Sequence, residues 1–436
     1  MEEFLQQLPK VDSESIWEGL IETLDPTVRE TVITAYQNLA VCLQQDESVA
    51  FEFEYERQAL WQQDEIEEFS ERANWDAKYP GPFLEYLLDK EEIDIRGAVN
   101  VEHLQRGFPL MPNLERISLR DVPIPDVEGL FAAFPVLSWL AIENCGIDRL
   151  PASVARHQEL DWLTLNGNRL TDLPEEIVEL SISRLKLNGN HFVRIPAVVA
   201  RMPCLRSISL ENNRLAGRLD LSHLRDWRVE FLTVRYNSLT DLTDLAITNS
   251  LKIVSIVANP ITHFPTAIPG ITSLEMEGSQ VARFASAFAA ENLMRELSIE
   301  ESPTVIDLGD LAGLIHLEEL RILAPNLENI GALAELKQLK RLKLGISGLK
   351  ELPSAIFDLR NLEELRIFNT PLQYIPGPWD QLKKLKNLSL TNCQLHIIPD
   401  ALLQRSDIKD INLSHNQFSE AHKAVIRRKL PQTWMW

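Results

Sequence analysis

The chain has 436 residues, of which 45% are hydrophobic and 25% are charged, an ordinary composition for a folded protein. Its net charge of −21 is unusual and uneven, because residues 1–110 hold 25 acidic against 8 basic side chains and so carry −17 of it. Such a segment repels phosphate groups and anionic lipid heads. The charge therefore argues against nucleic-acid or membrane-surface binding and favours a basic protein partner.

The first residues show neither a basic segment nor an apolar core of the kind that a Sec signal peptide has. No apolar run approaches the roughly 18 residues that a membrane span needs. The four cysteines are scattered without paired spacing, at Cys42, Cys145, Cys204 and Cys393. These features predict a cytoplasmic protein in a reducing compartment, with export by a route other than Sec as the alternative.

Helical patterns dominate residues 1–107. A capping box at Ser15 and Glu18 precedes one apolar-periodic run, and Asp25-Pro26 begins a second helix. We predict a small all-α domain at 1–107, whose last segment, 101–107, leads into the next region. Two roles stay open for it: a lid on the following domain, or a recognition face for a basic partner. That face would consist of the acidic residues Glu52, Glu54, Glu56, Asp64, Glu65, Glu67, Glu68 and Glu71.

From residue 108 the pattern LxxLxLxxN recurs, most clearly at Leu160, Leu163, Leu165 and Asn168. Successive copies are spaced 20 to 24 residues apart, which predicts about fourteen repeats of one structural unit. The first positions are Leu114, Leu137, Leu160, Ile182, Leu205, Val229, Leu251, Ile271, Met294, Leu317, Leu339, Leu362, Leu385 and Ile408.

Each repeat predicts a short strand followed by a return leg. Positions 4 and 6 alternate with polar residues, so one face of the strand is buried. The return legs often carry an apolar-Pro-x-x-apolar turn, at Leu150-Pro151/Val154, Ile195-Pro196/Val199, Leu352-Pro353/Ile356 and Ile398-Pro399/Leu402. No single repeat can bury its own apolar edge, so the repeats must stack with their strands in parallel.

Position 9 is predicted to lie inside the turn, where an asparagine amide can satisfy buried backbone groups of neighbouring repeats. Six repeats have asparagine there: Asn168, Asn190, Asn213, Asn237, Asn259 and Asn416. Cys145 and Cys393 occupy the same position, so we predict a structural role for both rather than a reactive thiol.

This array resembles the leucine-rich-repeat family, and its proline-containing return legs are similar to those of bacterial and intracellular members. The resemblance implies an α/β fold: a right-handed leucine-rich-repeat solenoid, or horseshoe, with a parallel concave sheet. It assigns residues 108–418 to the repeats. The tail, 419–436, resembles the helix-plus-strand cap that closes many bacterial arrays.

The pattern weakens between Asn259 and Ser347, where position 9 loses its asparagine. Serine or proline stands there instead, at Ser279, Ser302, Pro325 and Ser347. We expect locally altered curvature near residues 259–330.

In the family that the array resembles, exposed strand residues of the concave face are the usual binding surface. Position 3 carries Trp139 and Trp162 on adjacent predicted strands, and an exposed strand position gives tryptophan no packing role. The pair is either a binding site or is buried under the N-terminal domain. We add four further candidate partner-binding residues, Arg184, Phe231, Tyr236 and Ile253, and expect Val257 to extend the apolar group.

The second half of the array is charged rather than aromatic. Arg321, Lys343 and Arg366 occupy position 5 of three successive repeats. Like charges on adjacent strands are destabilising unless acids offset them. The row is therefore either paired with carboxylates of neighbouring strands (Glu318, Glu363, Glu364) or a strip that binds acidic side chains of a partner.

No glycine-rich phosphate loop, metal-ligand spacing or nucleophile motif occurs in the sequence. We therefore expect no catalysis, no cofactor and no metal. The sequence predicts a monomeric protein–protein interaction scaffold that binds its partner through the concave face and the acidic domain. Two alternatives stay open: an inhibitor or immunity protein that neutralises a basic toxin or enzyme, and a translocated bacterial effector that acts on host proteins.

Overall fold

The computed structural model describes residues 91–97, 101–108, 111, 113–222, 227–247, 249–289, 292–300 and 305–434. The contacts within it divide the chain into two compact units, Met1–Asn213 and Arg214–Trp436. The helices predicted before residue 91, and the acidic face predicted on them, lie outside the described residues.

In the first unit, six strands pair in parallel in chain order, each with its successor. They are β1 Glu92–Arg96, β2 Arg116–Arg120, β3 Trp139–Glu143, β4 Trp162–Thr164, β5 Arg184–Lys186 and β6 Ser207–Ser209. Their return legs contain helices α1 Val101–Gly107 and α2 Val127–Ala133, and then 3-10 helices at Ala152–Arg156, Glu175–Glu179 and Ala197–Arg201.

The core of this unit follows from the repeat pattern. Positions 4 and 6, such as Leu163 and Leu165, are fully buried between the strands and the return legs. Three return legs have proline immediately before a 3-10 helix, at Pro151, Pro174 and Pro196. Proline suits this position because its fixed φ leads into the helix and its missing N–H costs no hydrogen bond there.

The sheet begins earlier than predicted. β1 lies inside the range 1–107 that was assigned to an all-α domain, and it pairs with β2 from Glu92↔Arg116 to Arg96↔Arg120. Ile93 and Ile95 are buried like positions 4 and 6 of a repeat, and α1 forms the return leg. The described sheet therefore starts before residue 108. The sequence concealed this strand because no apolar residue stands three positions before Ile93.

In the second unit, the main strands are again parallel and follow chain order. They are β8 Phe231–Thr233, β10 Ile253–Ser255, β11 Ser273–Glu277, β12 Glu296–Glu300, β14 Glu319–Ala324, β16 Arg341–Ile346, β17 Glu364–Phe368, β18 Asn387–Thr391 and β19 Asp410–Asn412.

Return legs of the second unit pair twice in small parallel sheets. β7 Ala216–Arg218 pairs with β9 Ser238–Asp241, and β13 Ile306–Asp307 pairs with β15 Leu327–Glu328. Further legs contain 3-10 helices and one short helix, at Thr243–Ile247, Leu308–Leu311, Ile330–Glu335, Ser354–Asp358, Trp379–Gln381 and α4 Asp400–Leu403.

The weakened part of the pattern coincides with a different return leg. There a 3-10 helix at Gly278–Gln280 leads into α3 Val281–Ala289, whose Phe284 and Phe288 are fully buried. Gln280 is buried and donates through Nε2 to the carbonyl of Asn259 at 3.1 Å. The altered curvature expected for 259–330 stays a prediction.

The chain ends in helix α5 Glu420–Lys429 and strand β20 Thr433–Trp434, which pairs in parallel with β19. Ser419 caps α5 by accepting the N–H of His422. The side chains of Ile426 and Leu430 are fully buried.

Each of the fourteen predicted repeats has its strand within the described residues, as β2–β6, β8, β10–β12, β14 and β16–β19. Asparagine at position 9 bonds as predicted. Asn168 Oδ1 accepts the N–H groups of Cys145 and Ile147, and its Nδ2 donates to the carbonyls of Ile142 and Leu165 at 2.7 and 3.0 Å. Each unit is therefore a stack of leucine-rich repeats.

Candidate functional site

Four side chains of the first unit form a surface that we call the tryptophan face: Trp139 on β3, Trp162 on β4, and Arg184 and Lys186 on β5. The strand register sets Trp139 beside Trp162 and Trp162 beside Arg184. Because adjacent strands are about 4.8 Å apart, side chains at one repeat position must touch across the sheet. The predicted neighbourhood of Trp139, Trp162 and Arg184 is confirmed.

The two indole rings meet edge to face, with centroids 6.2 Å apart and planes inclined at 70°. Both tryptophans are half-buried. Trp162 Nε1 donates to Thr164 Oγ1 of the same strand at 3.0 Å, so the polar atom of the indole is satisfied. An edge-to-face aromatic pair is favourable and rigid, which gives this part of the sheet a preformed apolar surface.

Two cations extend the aromatic pair. The guanidinium carbon of Arg184 lies 4.4 Å from the ring centroid of Trp162, and the Lys186 Nζ lies 5.3 Å from it. Both distances are those of cation–π contacts. Arg184 and Lys186 are exposed, and within the described part of the chain neither forms an ion pair with a carboxylate. Their charges are therefore available to a partner.

Cations on the other side of the aromatic pair are neutralised. Arg116 Nε lies 2.9 Å from Glu92, and Arg120 lies 3.3 Å from Glu143. Arg120 also lies 3.8 Å from Asp94. Positive charge without a partner on this face is thus concentrated beside Trp162.

At position 5 of the strands β2, β3 and β4 the side chains are small and buried: Ser118, Ala141 and Thr164. Further along the strands, position 7 has polar side chains that bond to each other. Asn166 Nδ2 donates to Glu143 Oε1 at 2.8 Å, and Asn188 Oδ1 accepts the hydroxyl of Ser209, which stands at position 5 of the next repeat, at 2.6 Å. The tryptophan face therefore rests on strands that side-chain hydrogen bonds hold in register.

Cysteines at position 9 are structural, as predicted. Cys145 Sγ donates to the carbonyls of Leu119 and Glu143, and Cys393 Sγ to those of Ile367 and Thr391. Burial raises the pKa of Cys145 to about 11 and that of Cys393 to about 12. Both thiols are therefore protonated and unreactive at neutral pH.

In the second unit, Phe231 and Ile253 face each other on β8 and β10, 40% and 39% exposed. Tyr236 is 44% exposed and adopts a left-handed backbone, with φ of 53°. The guanidinium of Arg235 lies 5.6 Å from its ring. Val257 does not extend this apolar group, because it is fully buried in the core.

A second surface of this unit, which we call the charge ladder, spans β12 to β17. It consists of Glu296, Glu300, Glu319, Arg321, Arg341, Lys343, Glu364 and Arg366. The register confirms that Arg321, Lys343 and Arg366 are neighbours in one row.

Each cation of that row has a carboxylate partner. Arg321 lies 2.6 Å from Glu300, and Lys343 lies 2.7 Å from Glu319. Arg366 pairs with Glu364 of its own strand. Of the partners predicted from the sequence, Glu364 is found here, whereas Glu318 pairs with Arg295 and Lys340, and Glu363 pairs with Lys386.

Glu319 is the centre of the charge ladder, because Arg341 and Lys343 both bond to it. Burial acts to raise the pKa of Glu319, but the hydrogen bonds from Lys343 and Arg341 outweigh burial and hold that pKa below its ordinary value. The carboxylate is thus charged at neutral pH and offsets the cations beside it. Arg321 and Lys343 thus pair with carboxylates of neighbouring strands, whereas Arg366 pairs within its own strand.

Sequence reasoning missed Lys186, which adds the second cation to the tryptophan face. The signal was available, because Lys186 is position 5 of the repeat that supplies Arg184. It also missed His157, a return-leg residue that is 1% exposed and lies against the rings of Phe131 and Phe134. Burial, aided by Arg156, lowers the pKa of His157 to about 4.

In the part of the chain that the structure describes, no helix is long and apolar enough to cross a membrane. Within that same part, no cluster of three or more histidine, cysteine, aspartate or glutamate side chains is placed to hold a metal ion.

No protein-family model matches the chain. Among curated proteins, it is 23% identical over 223 residues to the adenylate cyclase of Schizosaccharomyces pombe, a match that covers 49% of this chain and 13% of that protein. It is 34% identical over 124 residues to the probable inactive serine/threonine-protein kinase roco10 of Dictyostelium discoideum, covering 27% and 5%. The chain therefore spans only a small part of the length of the curated relatives it matches.

Among solved structures, the chain is similar to a leucine-rich-repeat protein of Leptospira interrogans. The two are 20% identical, the alignment covers 81% of this chain and 97% of the other, and the TM-score is 0.49.

Proposed function

We propose that this protein is a non-enzymatic interaction module that binds a protein partner through the exposed strand side chains of its repeats. The tryptophan face carries the proposal: two half-exposed indoles in fixed edge-to-face contact, with two exposed cations beside them. Tryptophan and arginine are enriched where binding energy concentrates in protein interfaces. The exposed Phe231 and Ile253 offer a second, smaller apolar contact in the other unit.

The supporting argument is physical. Positions 4 and 6 of the repeats already fill the core, so an indole at position 3 keeps part of its apolar surface exposed to water. Covering two half-exposed indoles with a partner removes apolar surface from water at roughly 25 cal/mol per Å². Because the rings are already held in place, a partner would order little side-chain entropy on binding.

Affinity capture of partners from the cells that make this protein tests the proposal. The full-length chain should enrich specific proteins that the Trp139→Ala/Trp162→Ala variant loses. A matched control is Val136→Ala/Val193→Ala, which removes two exposed apolar side chains that lie off the strands. If the tryptophan variant retains every partner that the control retains, the tryptophan face is not the binding site.

A second candidate function is that of an inhibitor or immunity protein that neutralises a basic toxin or enzyme. The charge of −17 within residues 1–110 favours it, since a strong field of one sign speeds association with a partner of the opposite sign. This version predicts tight binding whose association rate falls steeply with salt. Salt-insensitive binding that depends only on Trp139 and Trp162 would exclude it.

The remaining alternative is a translocated effector. Its test is whether the N-terminal segment directs secretion of a reporter fused to it. For the cytoplasmic alternative, the reporter stays inside the cell. Monomeric state, the absence of catalysis and a cytoplasmic location are parts of the leading proposal, and size-exclusion chromatography with light scattering tests the first of them.

A further inference from the structure

Among the cation–π groups of the described residues, the tryptophan face is the one in which two cations without a carboxylate partner approach the same ring. Arg283 lies 5.7 Å from the ring of Phe264 as a single cation, and Arg235 is paired with Glu275 at 3.0 Å as well as lying near Tyr236. At Trp162, by contrast, two cations approach one ring. Neither of them has a carboxylate within ion-pair distance in the part of the chain described.

We propose that the tryptophan face recognises an acidic segment of a protein partner in which an aspartate or glutamate lies next to a large apolar side chain. This inference rests on the proposed function and names the chemistry of the partner. The carboxylate would bind Arg184 and Lys186, and the apolar neighbour would pack on Trp139 and Trp162.

The geometry of Arg184 supports a carboxylate ligand. Its guanidinium carbon lies over the Trp162 ring, 4.4 Å from the ring centroid, and the side chain is exposed. The N–H edge of a guanidinium matches the spacing of the two oxygens of a carboxylate and can donate two parallel hydrogen bonds to them. Stacking also holds the fork in place, so less entropy is lost when the ligand binds.

The position of Lys186 fixes where the charge of the ligand lies. Lys186 is two residues after Arg184 on β5, so both side chains leave the same face of the strand. The two cations therefore lie on one side of Trp162, and Trp139 lies on the other side of it. A ligand that spans the face would therefore lie with its acidic group at β5, beside the two cations, and its apolar group over the indoles of β4 and β3.

The rest of the molecule argues for an acidic protein segment rather than a nucleic acid. The net charge of −21 opposes a polyanion, whereas one or two carboxylates need only local compensation. Arg116 and Arg120, which would extend a phosphate-binding track along the sheet, are paired with Glu92 and Glu143. The two cations without a carboxylate partner in the described residues, Arg184 and Lys186, can therefore balance one or two carboxylates of a short acidic segment.

Selection from a library of displayed random dodecapeptides on the full-length protein tests the inference without knowledge of the partner. Enriched peptides that depend on the tryptophan face should carry Asp or Glu beside Trp, Phe, Tyr or Leu. The most enriched peptide is then synthesised with a fluorescent label, and its binding is measured by anisotropy. Replacing its acidic residue by the amide should weaken binding by about tenfold or more.

Variants of the protein provide the matching half of the test. Arg184→Glu/Lys186→Glu should lose the acidic peptide and bind the version whose acid is replaced by lysine. Arg184→Gln/Lys186→Gln should lose the acidic peptide without gaining the basic one. Arg169→Glu is the control, because Arg169 is an exposed cation of the same unit that lies outside the strands. Circular dichroism verifies that each variant is folded.

The outcomes separate this inference from the proposed function. Peptides that depend on Trp139 and Trp162 but carry no acid, or that bind the charge-reversed variant equally well, overturn the inference and leave the proposed function in place. If no enriched peptide depends on the tryptophans, both fail at this face. Displacement of the acidic peptide by a 12-nucleotide single-stranded DNA at equal concentration would assign the cations to phosphate and overturn the inference.

Discussion

The tryptophan face of the first unit and the charge ladder of the second present cations at equivalent strand positions, but with different surroundings. Lys186 and Lys343 both occupy position 5 of a repeat. Lys186 lies against an indole and has no carboxylate partner in the described residues, whereas Lys343 lies 2.7 Å from Glu319. A row of like charge can thus be completed within the sheet or left for a partner, and only the neighbouring residues decide which.

The comparison assigns different roles to the two surfaces. The cations of the charge ladder pair with carboxylates of the same surface, so removing those ion pairs should reduce the stability of the fold. The cations of the tryptophan face have no carboxylate partner in the described residues, so removing them should reduce binding rather than stability. Measurements of stability and binding on the same variants separate the two roles.

The largest expected effect concerns the strands under the tryptophan face. Asn168→Ala removes a buried amide that satisfies the N–H groups of Cys145 and Ile147 and the carbonyls of Ile142 and Leu165. Leaving such groups buried without partners should cost about 3 kcal/mol and loosen the β3–β4 contact that pairs the indoles. Hydrogen exchange should show lost protection in β3 and β4.

The matched control for this variant is Ser347→Ala in the second unit. Ser347 occupies the same repeat position but is exposed, with a single 3.4 Å hydrogen bond to the carbonyl of Pro325. Its replacement should change stability by under about 0.5 kcal/mol. Equal losses in the two variants would show that position 9 is not what organises the tryptophan face.

Acid should weaken the first unit at a higher pH than the charge ladder. Burial, followed by the charge of Arg156, lowers the pKa of His157 from 6.5 to about 4. The unfolded chain therefore binds the proton first. The stability contribution is complete above pH 6.5, is lost as the pH falls from 6.5 towards 4, and amounts to about 2 kcal/mol between pH 7.5 and 5.

Local hydrogen exchange at pH 7.5 and 5 checks this expectation at the amides of the return leg 152–160. His157→Leu should flatten the pH dependence there, because leucine suits the contact with Phe131 and Phe134 and does not titrate. His422 of α5 also has a pKa lowered by burial, so amides near the C-terminus should lose protection over a window that likewise begins below 6.5. An unchanged slope in His157→Leu would contradict the assignment to His157.

Much of the fold followed from one sequence regularity. The spacing of leucines predicted the strand of every repeat from β2 to β19, since core positions must recur once per turn of the stack. The role of asparagine at position 9 also followed from the sequence, because an amide buried in a turn must form hydrogen bonds with the backbone groups around it. The tryptophan pair followed from the same count, since equal repeat positions on adjacent strands must be neighbours.

Other features depend on contacts that a repeat count does not contain. β1 lacks an apolar residue at position 1, and its buried side chains are those of Ile93 and Ile95. The row of Arg321 and Lys343 was predicted, but their partners are Glu300 and Glu319, because side-chain length decides which carboxylate is reached. The burial of His157 arises from aromatic rings of the preceding repeat.

A smaller effect is expected from Glu319→Gln, which neutralises the centre of the charge ladder. Arg341 and Lys343 then lose their common partner and repel each other, at a cost of about 1 kcal/mol in the free energy of unfolding. The pKa of Glu319 is held below 4.5, so its contribution is complete above pH 4.5 and is lost as the pH falls further. Urea denaturation at pH 7 and 4 measures both.

The ladder variant also tests the comparison itself. If the ladder serves stability alone, Glu319→Gln should leave binding of the partner or of the selected peptide unchanged. A loss of binding with unchanged stability would instead make the charge ladder a recognition surface, and the contrast with the tryptophan face would disappear.

The smallest expected changes in stability come from removing one exposed cation on each surface. Arg184→Gln removes a guanidinium that lies over the Trp162 ring, and Arg366→Gln removes an exposed one that pairs with Glu364. Exposed pairs and exposed cation–π contacts are each worth under about 1 kcal/mol, so both variants should unfold within about 0.5 kcal/mol of the parent. The two variants should differ in binding: Arg184→Gln should weaken the affinity for the partner, and Arg366→Gln should leave it unchanged. Since the two variants make the same chemical change at similarly exposed strand positions, such a difference can come only from where the cation lies.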